Sequence, residues 1–148
     1  MTDPDYDDPT VEKEWCEDRR AEVGRYLQGE GVDHGQIGEW PAWHVAPLVS
    51  VWAIESKVKP GWVGWWVICG DLPTDYVSAG KIKHPRKALQ AIADRWLRHC
   101  KSVRSGAKST KMSIGSAQGT PLDLVPMLES RATTLASWAQ DDSIWEGL

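Results

Sequence analysis

Residues 48–54 (Leu-Val-Ser-Val-Trp-Ala-Ile) and 62–69 (Trp-Val-Gly-Trp-Trp-Val-Ile-Cys) are apolar at odd and even positions alike. Both are rich in β-branched and aromatic residues, and a Lys57-Val-Lys-Pro-Gly61 turn separates them, so they predict an antiparallel hairpin. A strand with one wet face alternates apolar with polar residues. These two do not alternate. Both faces of the hairpin therefore require cover, either from helices of the same chain or from a partner. Gly64 leaves room in the second strand for a neighbouring ring or a close backbone. A short third strand is expected at residues 76–82.

Helices are available for that cover. Asp8-Pro9 reads as an N-cap followed by proline at the first helical position. From there Val11, Trp15, Cys16, Val23, Tyr26 and Leu27 recur at helical spacing until Gly29 and Gly31 end the run. Arg19 falls within this apolar face, where its stem packs while its guanidinium reaches an acid or water. Residues 29–46 hold too many glycines for a regular element and read as a loop carrying Trp40 and Trp43. His84-Pro85 opens a second helix, with Ala88, Leu89, Ile92, Ala93, Trp96, Leu97 and Cys100 on its apolar stripe. A third starts near Pro126 and carries Leu128, Ala132, Leu135, Trp138 and Ala139. The expected fold is α+β: an N-terminal helix, an antiparallel hairpin or three-stranded meander, and two C-terminal helices packed on the sheet. Residues 1–8 are expected to be a disordered acidic lead, 9–101 the α+β domain, 102–120 a flexible Ser/Gly-rich linker, and 121–148 a C-terminal helix packing on the same domain.

A chain of 148 residues is enough for one domain with a real core. No apolar run approaches the roughly 20 residues of a membrane span, and the acidic N-terminus does not resemble a signal peptide. Three cysteines without paired spacing argue against a disulfide scaffold and for a reducing cytoplasm. The net charge of −4 hides a strong asymmetry. Residues 1–18 hold eight acidic side chains against Lys13, and residues 81–111 hold ten basic ones against Asp94. Such a division suits either a polyanion surface or an acidic N-terminus lying across the basic helix of the same molecule.

The stretches Ala46-Pro-Leu-Val-Ser-Val-Trp-Ala-Ile54 and Trp66-Val-Ile-Cys-Gly-Asp-Leu-Pro-Thr-Asp75, with Tyr26 near the end of the first helix and Trp96 in the second, resemble a bacterial family, the domain of unknown function forty-eight twenty-six. The resemblance covers residues 12–100. It implies the architecture above, with Gly-Asp-Leu-Pro-Thr-Asp as a loop, and carries no chemistry with it.

Asp71 and Asp75, four residues apart at a strand end, are the strongest chemical constellation. Two carboxylates so placed suit a hard cation or an acid–base pair. They equally suit backbone amides in a proline-set turn, or pairing with Arg19. The histidines are scattered, with no C-x-x-C, H-x-x-x-H or H-E-x-x-H. Residues 106–110 echo a phosphate loop but follow a helix and lack its first glycine. Trp52, Trp66 and Trp96 read as core, whereas Trp40, Trp43, Trp62 and Trp65 lie in or beside loops or on the second sheet face. Tryptophan anchors many interfaces.

No catalytic set stands out. The first expectation is a non-enzymatic protein-binding module, of the immunity type that caps a bacterial toxin. It would use Trp40, Trp43, Trp62, Trp65, Asp71 and Asp75, without metal or cofactor. One alternative is a small enzyme or a ligand or metal binder built on Asp71 and Asp75. Another is a nucleic-acid binder using the basic segment 81–111.

Overall fold

A computed structural model describes residues 4–105 and 124–147. The phosphate-loop look-alike and most of the expected 102–120 linker lie outside these residues. Helix α1 (Pro9–Gly29) starts where Asp8 accepts a hydrogen bond from the Thr10 amide, with Pro9 in its first turn. The preceding residues are turned, with the Asp8 amide donating to the Asp5 carbonyl. Four strands follow as an antiparallel meander: β1 (Trp43–Val45), β2 (Val49–Glu55), β3 (Val63–Gly70) and β4 (Leu72–Ser78), in sheet order β1-β2-β3-β4. Helix α2 (Pro85–Arg104) is capped by His84, whose Nδ1 accepts from the Arg86 amide. Helix α3 (Val125–Gln140) and a 3-10 turn (Asp142–Trp145) are the last elements among the described residues. The architecture is α+β. No helix among the described residues is long and apolar enough to cross a membrane.

The two-sided apolar hairpin is covered on both faces by helices of its own chain. One face of β2 and β3 carries Val49, Val51, Trp66 and Ile68, which pack with Leu89, Ile92 and Trp96 of α2 and Leu128 and Leu135 of α3. The other carries Trp52, Ile54, Val67 and Cys69, packed with Val23 and Leu27 of α1. The sheet thus separates α1 from α2, and the acidic first helix does not lie across the basic one. Buried Ser50 is satisfied by donating to the Cys69 carbonyl and accepting from the Trp52 indole.

Three elements differ from the sequence reading. The expected loop 29–46 contains β1, and Ile37 forms an isolated bridge to Ile54. The expected Gly70–Asp75 loop is instead a tight turn at Gly70–Asp71 followed directly by β4. That strand therefore starts at Leu72, four residues earlier than expected, and ends at Ser78. Pro73 sits in β4 because β4 is an edge strand, where a missing N–H leaves no ladder gap. Residues 102–104 continue α2. Arg19 meets neither Asp71 nor Asp75; its Nε lies 3.5 Å from Glu22 and its guanidinium rests over Trp15.

Candidate binding surface

The residues expected to form one partner site are dispersed. Trp43 is core: it stacks on Trp145 at 4.8 Å between ring centroids and meets Trp138 edge-on at 6.0 Å. Trp65 is half-buried in the layer beneath α1, beside Tyr26 and Tyr76. Trp40 is exposed near β1, edge-on to His44, whose Nε2 lies 3.1 Å from the Glu12 carboxylate.

The two aspartates point to different partners. The Asp75 carboxylate is buried, accepting from the Trp96 indole and the Tyr76 amide, with Arg95 Nε at 3.9 Å. Burial raises its pKa, against the opposing pull of the Trp96 hydrogen bond and the Arg95 charge. Asp71 is exposed, and Arg131 of α3 donates to its carbonyl at 3.0 Å and reaches its carboxylate at 3.4 Å. A cavity of about 190 Å³ opens beside this pair, floored by Leu48, Leu72, Leu135 and Trp138. The two carboxylates are thus engaged by different helices. Among the described residues no group of three or more His, Cys, Asp and Glu is arranged to hold a metal. Burial also pushes the Cys16 and Cys69 thiols up to about 11, which keeps them protonated at neutral pH.

Trp62 stands apart from the rest. It lies at the β2–β3 hairpin tip and is 60% exposed, and Val58 (90%) and Val63 (40%) of the same segment are exposed too. The tip is braced from within. The Ser56 amide donates to the Trp62 carbonyl at 2.7 Å, the Trp62 amide to the Lys59 carbonyl at 3.1 Å, and the Lys59 amide to the Ser56 hydroxyl. Glu55 accepts from the amides of Gly61 and Gln36, and these bonds hold its carboxyl below its ordinary pKa. Gly61 supplies the left-handed φ of +88° that the turn needs. The Nζ atoms of Lys59 and Lys83 each lie 5.6 Å from the Trp62 ring centroid. The fold therefore brings the first residues of the basic segment 81–111 onto a ring 21 positions earlier in the chain. In the sequence Lys59 and Val58 read only as turn residues, and Lys83 only as part of the basic segment 81–111. The available signal was Val58, an apolar residue in a Lys/Pro/Gly turn with no strand face to occupy.

With this geometry in view, the chain belongs to the family described as Domain of unknown function (DUF4826), whose match spans residues 10–145. That span includes the sheet, α2 and α3. No curated protein and no solved structure matches the chain significantly.

Proposed function

We propose that the protein is a non-enzymatic protein-binding module that docks its partner through the β2–β3 hairpin tip. The observation that carries this reading is Trp62, held largely in solvent on a turn that also exposes Val58 and Val63 and is fixed by its own hydrogen bonds. Clustered exposed apolar side chains mark interaction sites on soluble proteins. A ring carried on a braced turn orders less backbone on binding, so it is suited to anchor an interface. An inhibitor that caps a toxin is one role this class of module fills. The test is capture from the host, with the native protein and Trp62→Ala used in parallel and their melting temperatures compared. A protein retained in stoichiometric amount by the native chain and lost by an equally stable Trp62→Ala supports the reading. Equal retention by both overturns it.

A further inference from the structure

We infer that the hairpin tip takes an acidic segment of the partner, with carboxylates set against Lys59 and Lys83 and an apolar side chain set against Trp62 and Val58. This rests on the protein-binding reading and names the chemistry of its partner.

Lys59 and Lys83 form no ion pair at the tip with any described residue. Asp33 pairs with Lys57 at 2.9 Å, and the Glu55 carboxylate is turned onto the Gln36 and Gly61 amides and not onto either lysine. Among the described residues no carboxylate lies within ion-pair reach of Lys59 or Lys83. Two ammonium groups therefore converge on one exposed ring, and a partner bringing carboxylates there meets complementary charge. Val58 and Val63 expose further apolar area on the same turn, which suits a protein side chain better than a phosphate backbone.

The probe is a fluorescein-labelled synthetic hexapeptide, Asp-Leu-Asp-Asp-Leu-Asp, followed by anisotropy with the full chain. Its Asn-for-Asp analogue, oligothymidylate and phosphatidylserine vesicles serve as competitors. Saturable binding is expected, weakened about thirtyfold by Trp62→Ala, as for an interface anchor. The double variant Lys59→Glu/Lys83→Glu should weaken it about tenfold and remove its salt dependence. All three side chains are exposed, so the variants are expected to fold, and melting temperatures verify it. The inference is overturned if the hexapeptide does not bind, or binds Trp62→Ala equally well. Stronger competition by the Asn analogue, oligothymidylate or vesicles also overturns it. If the hexapeptide fails while host capture remains Trp62-dependent, the acidic class is wrong and the protein-binding reading stands. If both fail, that reading falls too.

Discussion

The indole N–H of Trp96 donates a 2.9 Å hydrogen bond to the Asp75 carboxylate, and both side chains are buried between α2 and β4. This bond ties the middle of a helix to an edge strand that otherwise holds the sheet on one side only. It also gives a buried acid its strongest partner, so packing and polar satisfaction depend on the same ring.

Trp96→Ala therefore removes packing and an acceptor's partner together. A loss of about 3–5 kcal/mol is expected from the vacated volume. Trp96→Phe keeps most of the volume but removes the donor to Asp75 Oδ2, at a cost of about 1–3 kcal/mol. Urea unfolding of both variants checks this. Equal stability of Trp96→Phe and the native protein would show that the hydrogen bond contributes nothing.

Asp75 also sets a pH dependence. Burial raises its folded pKa above the unfolded value, so its contribution to stability is fully present below about pH 4 and is lost as pH rises through the folded value. Asp75→Asn cannot ionise. As pH rises from about 4 to 8, the stability difference should shift in favour of the Asn variant. Denaturant midpoints of the two proteins across that range supply the measurement, and a pH-independent difference would refute the assignment.

How far the sequence made these features legible depends on where each residue's partner lies. The caps at Asp8 and His84 act within two residues, so α1 and α2 were readable from the start. The two-sided hairpin announced that both faces needed cover, and α1 and the α2–α3 pair supply it. β1 was hidden because three residues are too few to show alternation within a Gly-, Trp- and Pro-rich stretch. β4 was hidden because Pro73 and two aspartates read as a turn, and only its position at the sheet edge makes the proline acceptable. The aspartates' partners, Trp96 and Arg131, lie 21 and 60 residues away. No local pattern reports such pairings. The Lys83–Trp62 contact was invisible for the same reason.

Gly70 is the residue the β3–β4 turn cannot exchange. Its φ of +146° lies outside the range of L side chains, and a Cβ there would stand 2.5 Å from the Leu48 carbonyl oxygen. That close approach lets the neighbouring Asp71 amide donate to Leu48 at 2.9 Å, joining this turn to the start of β2. Gly70→Ala combines backbone strain with a clash against main chain, and a loss of at least about 1–3 kcal/mol is expected. Gly29→Ala is the control, since nothing lies within 4 Å of a Cβ at Gly29 and its φ is not positive. Similar melting temperatures for the two variants would contradict the turn geometry.

Trp62 and Trp65 lie three residues apart at one end of the same hairpin, and their environments set opposite outcomes. Trp62 projects from the tip with its ring against two lysines, so Trp62→Ala should change stability by no more than about 0.5 kcal/mol. Trp65 lies on the β3 face that α1 covers, packed with the cluster containing Trp52, Val67 and Leu27. Its removal opens a gap beneath a helix held mainly by that layer. Trp65→Ala is expected to cost about 2–4 kcal/mol, below the fully buried range because the ring is only partly enclosed. Thermal and urea unfolding of both variants against the native protein separates these effects. A large loss in Trp62→Ala would make Trp62 a packing residue and remove the observation behind the docking site. A negligible loss in Trp65→Ala would mean that α1 does not close over this end of the sheet.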